Sequence, residues 1–146
     1  MAKYATEPGI ESLKLLRLVA FAWWTGNGDL HLKNLSLLRD EDGSYRLSPA
    51  YDLVSTRLVI EDDQLALPVG GSRKAITARQ WLEYAEYCEV PPRAAARALR
   101  GVAEALEPAT GLVERSLLPE DAREALCKLL RERARTLGEA ALKAGR

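Results

Sequence analysis

Apolar residues recur at helical spacing in four stretches of the chain, and between the first two the pattern changes to short runs. Over Ile10–Trp24, the residues Leu13, Leu16, Ala20 and Trp23/Trp24 fall on one stripe, widened by Leu15, Val19 and Ala22. The helix this predicts is apolar nearly all round toward its end, which suits a central core position with both tryptophans inside. Gly26 supplies its stop. A second helix is predicted over Thr77–Tyr87: Thr77 and Gln80 form a capping box, and Trp81, Leu82, Ala85 and Cys88 line one face. Pro91 and Pro92 break the chain before a third helix at Arg93–Leu106, with Ala95, Leu99, Val102 and Leu106 on one side. Pro108 and Gly111 separate it from a long fourth helix at Glu120–Lys143. Glu120 and Asp121 suit its start, and Leu126, Leu129/Leu130, Ala134, Leu137 and Ala141 line a face. Arg131, Arg133 and Arg135 read as a solvated face balanced by nearby glutamates rather than a nucleic-acid contact.

The short runs read as strands. Leu35–Arg39 and Tyr45–Leu47 flank the turn Asp40-Glu41-Asp42-Gly43, where glycine accepts positive φ, so a hairpin is expected. The acidic turn fails as a calcium loop, because Leu38 occupies a position that an EF-hand gives to an acidic ligand. Leu58-Val59-Ile60 and Leu65-Ala66-Leu67 are further short strands around Glu61-Asp62-Asp63. Residues 1–9 read as a loose tail. The expected class is α+β, mostly helical, in one domain spanning 1–146 with no internal repeat.

Composition narrows the function classes. The chain is 146 residues long, 47% hydrophobic and 29% charged, which is globular rather than disordered. Its 21 basic and 21 acidic residues cancel, so bulk charge points neither to nucleic acid nor to an anionic membrane. The longest strongly apolar run, Leu18–Trp24, is far short of the ~20 residues a membrane span needs. Cys88 and Cys127 stand apart and there is one histidine, which argues against structural zinc and fits free thiols in a reducing cytoplasm.

The chemistry concentrates in Thr25–Asn34, where Asp29, His31, Lys33 and Asn34 follow Gly26 and Gly28, and in Tyr51-Asp52-Leu53 downstream. Asp29 precedes Asn34 by five positions. Phosphoryl transfer uses such a set: a carboxylate takes the proton of the attacking hydroxyl, and oxygen ligands hold the magnesium that neutralises the phosphates. Protein-kinase catalytic loops space their Asp and Asn in the same way, with a second metal-binding Asp further on. The hairpin would bring Asp52 back beside Asn34. Simpler readings stand beside this one. Asp29 suits a turn or cap, Asn34 suits a bond to loop backbone, and Lys33 suits either phosphate or a pair with Asp29. Gly70, Gly71 and Lys74, with Asn27 from the first loop, are the candidate substrate or phosphate loop.

Gly26–Asn34 followed by Ser48-Pro49-Ala50-Tyr51-Asp52-Leu53-Val54-Ser55 closely resembles HipA-like serine/threonine kinases, the toxin kinases of bacterial toxin–antitoxin pairs. Leu65-Ala66-Leu67-Pro68-Val69-Gly70-Gly71 is similar as well, and the resemblance covers roughly Ile10 to Leu106. It implies a kinase-like C-terminal lobe with Asp29 as catalytic base, Asn34 and Asp52 as magnesium ligands, and His31 and Lys33 supporting the loop or the phosphates. It also implies ATP and Mg2+ as cofactors and a protein hydroxyl as acceptor. The family's targets include aminoacyl-tRNA synthetases, and a DNA-binding antitoxin of the HipB type is the expected partner.

The chain departs from the intact family in showing no glycine-rich phosphate loop and no strand lysine of a nucleotide lobe. An N-lobe subunit or self-association is therefore expected to complete it. The alternatives are a small-molecule phosphotransferase of the aminoglycoside-kinase type, which has a similar Asp-Leu-His-x-x-Asn loop, and a non-catalytic lobe that binds a partner.

Overall fold

A computed structural model describes residues 3–145. Its elements are helix α1 (Pro8–Thr25), strands β1 (Leu37–Arg39) and β2 (Tyr45–Leu47), and helices α2 (Ala78–Tyr87), α3 (Pro92–Glu104), α4 (Leu106–Glu114) and α5 (Glu120–Ala144). Two single-turn 3-10 helices, Leu32–Asn34 and Thr56–Leu58, interrupt the long connection between α1 and α2. The protein is α+β and mostly helical, with one antiparallel hairpin pairing Leu37 with Leu47 and Arg39 with Tyr45.

The helices form because apolar spacing gives each a face to bury. Helix α5 packs on all four of the others. Its inner row of Leu126, Leu130, Ala134, Leu137 and Ala141 meets Leu16, Val19, Ala20 and Trp24 of α1 in a single core. Trp24 is 1% exposed, and its indole Nε1 donates to the Leu130 carbonyl at 2.9 Å, so its one polar atom is satisfied inside the core. Trp23 and Trp81 meet edge-to-face at 5.5 Å and join α1 to α2. Thr77 caps α2 as its sequence predicts: its N–H donates to Gln80 Oε1 at 2.8 Å, and its hydroxyl accepts from the Gln80 N–H at 3.3 Å.

Helix α1 ends where the polar loop begins, and the ending sets the loop's starting direction. Gly26 takes the left-handed conformation at φ 79°. Its N–H donates to Trp23 O, and the N–H of Asn27 donates to Ala22 O, the pair of bonds that defines a Schellman cap. At the other end of α1, Glu11 is 1% exposed, and its carboxylate accepts from Lys14 Nζ and from the backbone N–H of Leu47, each at 2.8 Å. Thr6 bonds both backbone groups of Tyr45. The outer edge of β2 is thereby tied to α1.

Several expectations need correction. Helix α1 starts at Pro8, inside the span read as tail, because a proline at the first turn lacks only an N–H that the helix does not use. Met1 and Ala2 lie outside the described residues. No strand forms at 58–60 or 65–67: the first run falls partly in the 3-10 turn, leaving Val59 82% exposed. Instead, Leu65 bonds the Arg73 carbonyl and Ala66 bonds the Gly28 carbonyl. Pro108 and Gly111, read as a separator, lie within α4. Pro108 sits in its first turn, where a missing N–H costs little. Arg133 is half-buried rather than solvated.

Burial pushes the Glu11 carboxyl up, but the bonds from Lys14 and Leu47 N–H, with the charge of Arg46, outweigh it and hold the group below its ordinary value. A depressed folded pKa gives stability that is complete above the unfolded value, about 4.3 for glutamate, and is lost as pH falls through the folded value. Replacing Glu11 with Ala removes the acceptor from a partly buried N–H and is expected to cost about 1–3 kcal/mol in urea denaturation at neutral pH. The deficit relative to wild type should shrink below about pH 4, and a deficit independent of pH would contradict the assignment.

Candidate functional site

The polar residues of the first loop and those around Asp52 meet at the open end of the hairpin. Ser48 N–H donates to Ser36 O at 2.8 Å, which extends the pairing past β1 and β2 and returns the chain toward Asn34. Asn34 Nδ2 then donates to Asp52 Oδ2 at 3.1 Å, while Asn34 Oδ1 accepts the backbone N–H of His31 at 3.1 Å. Tyr51 donates its hydroxyl to the Lys33 carbonyl at 2.8 Å, so neighbours of both ligand candidates are joined too. Asp52 is exposed and sits at φ 56°, a left-handed conformation that Asp tolerates better than most residues.

Asn27 holds the arrangement from inside. It is 1% exposed. Its Oδ1 accepts the Asp29 N–H at 2.8 Å, and its Nδ2 donates to the Asp52 carbonyl at 3.3 Å. One buried amide thus orients the backbone on both sides of the site. Asp29 is left with 59% of its side chain exposed, and His31 Nε2 stands 3.9 Å from its carboxylate. Lys33 is exposed and makes no ion pair among the described residues, so the neighbour of Asp29 is His31 and not Lys33.

A second layer supports the loop from below. Thr56 accepts the Gly28 N–H at 2.7 Å and donates to Asp63 Oδ2 at 2.6 Å. The Asp63 carboxylate lies so close to Gly28 that a Cβ there would come within 2.2 Å of it, so a larger residue would displace the Asp63 side chain from Thr56. Arg133 lies across the same region. Its guanidinium donates to the Trp23 carbonyl and stacks 4.9 Å from the Trp23 ring centre. Burial, reinforced by the nearby Arg57 charge, pushes its pKa down to about 10 against opposing attraction from Asp63 and Glu132. Sequence reasoning missed Glu11, Thr56, Asp63 and Arg133. A charged residue inside an otherwise apolar stripe, as at Glu11, is the one signal that was present.

The second candidate loop has a local explanation for its glycines. Gly70 and Gly71 have φ of 52° and 78° and form a two-residue turn closed by Val69 and Ser72, which exchange backbone bonds of 2.8 and 3.0 Å. A Cβ at Gly70 would meet Gln80 at 2.7 Å. Lys74 pairs with Asp62 at 3.5 Å. Of this candidate set, Lys74 and Asn27 line one cleft, whereas Gly70 and Gly71 do not.

The donor set suits a hard divalent cation. Among the described residues, Asp52 keeps one carboxylate oxygen without a partner, and Asn34 Oδ1 keeps a lone pair beyond the bond from His31. Magnesium is commonly held by one or two protein oxygens, with phosphates and water filling the remaining positions.

The family of HipA-like C-terminal domains matches residues 1–110. The chain belongs to that family. In Sinorhizobium fredii (strain NBRC 101917 / NGR234), "Putative kinase Y4dM" is 44% identical over 62 residues, which are 42% of this chain and 15% of that protein. "Putative kinase Y4mE" of the same organism is 39% identical over 56 residues, 38% of this chain and 13% of that protein. A solved structure of HipA with HipB and operator DNA from Shewanella oneidensis MR-1 matches with a TM-score of 0.70 at 25% identity. That match covers 86% of this chain and 32% of the matched one. The HipA-like chain thus spans about a third of the length of that structural relative.

Replacing Asn27 with Ala strands the Asp29 N–H and the Asp52 carbonyl, and should cost about 1–3 kcal/mol in chemical denaturation. Asp29→Ala removes an exposed side chain and should stay within about 0.5 kcal/mol of wild type. Equal losses for the two variants would contradict the positioning assigned to Asn27.

Proposed function

We propose that this HipA-like domain is the catalytic C-terminal lobe of a serine/threonine protein kinase, the toxin partner of a DNA-binding antitoxin, with ATP and Mg2+ as cofactors. The observation that supports this best is the Asn34–Asp52 bond of 3.1 Å beside the exposed carboxylate of Asp29. Asn34 meets Asp52 through its amide nitrogen, so a shared cation would take Asp52 directly and Asn34 Oδ1 once the amide turns from the His31 N–H. With the exposed Asp29 carboxylate, these are the residue types phosphoryl transfer requires.

In this reading Asp29 accepts the proton of a protein hydroxyl as that oxygen bonds to the γ-phosphorus and the bond to ADP breaks. Asp52 and Asn34 would hold the magnesium, which supplies charge neutralisation on the phosphates. Asn27 keeps the Asp29 and Asp52 backbones in register, and His31 flanks the base. Lys33 carries its charge free into solvent, where it can meet phosphate. The rest of the kinase, including a nucleotide lobe, is supplied by further chain or by a partner. The exposed Leu32, Val54, Val59 and Ile60 on the segments around the site suit that contact. An aminoacyl-tRNA synthetase is one candidate substrate, and antitoxin pairing follows the relative crystallised with HipB.

Calorimetry with ATP and magnesium tests the reading on the folded chain. Wild type should bind saturably, with a Kd no weaker than about 1 mM, and Asp52→Ala should lose binding at least tenfold, roughly 1.4 kcal/mol or more. Binding that is unchanged in Asp52→Ala when circular dichroism shows both folded would count against it, whereas absence in wild type would place nucleotide binding with the nucleotide lobe.

A further inference from the structure

A cleft of about 120 Å³ opens at the base of the catalytic loop, lined by Asn27 and Gly28 but by none of Asp29, His31, Lys33, Asn34 or Asp52. Its charged lining is Arg57, Arg73, Lys74 and Arg133 against Asp62 and Asp63, so two positive charges are left over. The two carboxylates are already engaged. Asp62 pairs with Lys74, and Asp63 accepts from Thr56 while pressed against the Gly28 backbone. Among the described residues, Arg57 and Arg133 each donate only to a backbone carbonyl, of Asp63 and Trp23 respectively, and Arg73 makes no side-chain bond. The half-buried Arg133 guanidinium feels the Arg57 charge, is offset in part by Asp63 and Glu132, and forms no ion pair among the described residues, which leaves it free to donate to an added anion.

We infer that this cleft is a phosphate-monoester site, in which Arg133, Arg73 and Arg57 hold a dianionic phosphate group. Charge and size argue for that ligand. A phosphate dianion meets the positive excess of the lining more fully than a carboxylate does, even with Glu132 near Arg133. The planar arginine fork suits phosphate oxygens. The volume is well under the roughly 300–1,000 Å³ of sites that enclose a whole drug-sized ligand, so the cleft takes the phosphate group and leaves its carrier outside. The site stands apart from the magnesium and ATP chemistry proposed above and does not depend on it.

The test is titration of the full 146-residue chain with inorganic phosphate in magnesium-free chloride buffer, followed by amide and arginine NMR signals, with acetate in parallel. Saturable binding at or below about 10 mM phosphate is expected, with shifts at Gly28, Ala75 and the Arg133 side chain, and weaker binding of acetate. Arg133→Gln and Arg73→Gln should each weaken phosphate binding about tenfold or more. Arg73 is exposed and makes no side-chain bond, so its variant keeps the test valid if Arg133→Gln fails to fold. Asp52→Ala should bind phosphate as wild type does, even if it has lost ATP. Failure to saturate, acetate binding as tightly as phosphate, no effect of Arg73→Gln, or loss of phosphate in Asp52→Ala would each overturn the assignment.

Discussion

The polar site depends on one buried amide. Asn27 follows directly on the cap of α1, and its side chain reaches both the Asp29 N–H and the Asp52 carbonyl. Asp52 follows Asn27 by 25 positions. Without a fixed bond across that interval, an exposed Asp in a left-handed conformation would have little to keep it beside the first loop. A buried amide with both ends satisfied is rigid, because release of either bond leaves an unpaired polar group away from water.

Rigidity at Asn27 is inherited from the core. Trp24, closed in by α5 and bonded to Leu130, locks the last turn of α1. The Schellman cap at Gly26 then fixes the direction in which the chain leaves. The hairpin is steadied separately, by Glu11 and Thr6 on the outer edge of β2. Packing of a helix bundle is thereby passed through two anchors to Asn34 and Asp52. The elements are short and irregular near the site, where a chemical group needs access, and long and helical away from it, where burial supplies the stability.

Much of this was legible in the sequence where a local rule governs. Helical periodicity found α1, α2, α3 and α5 to within a few residues, and the Thr77–Gln80 box and the Asp40–Gly43 turn have the geometry their residues demand. The Asn34–Asp52 proximity was legible too, because a hairpin between two polar residues returns the second to the first. What was not legible depends on tertiary context. Leu58–Ile60 has β-branched residues but no strand to pair with. Pro108 reads as a breaker unless the helix start is known to lie two residues before it. Arg133 looks like its neighbours Arg131 and Arg135 until the fold shows that it alone of the three lies over Trp23. The pairing of Thr56 and Asp63 beneath Gly28 joins residues with no motif between them.

We propose that Asp52 and Asn34, held side by side near the exposed Asp29, take up a divalent cation. Paramagnetic Mn2+, a hard cation of the same ligand preference as Mg2+, reports on it directly when added with ATP to the isotope-labelled chain. Amide signals of residues 27–34 and 51–53 should broaden first, at the lowest metal concentration. Broadening that begins instead at the exposed acidic turn of Asp40, Glu41 and Asp42, with the loop signals left sharp, would contradict it.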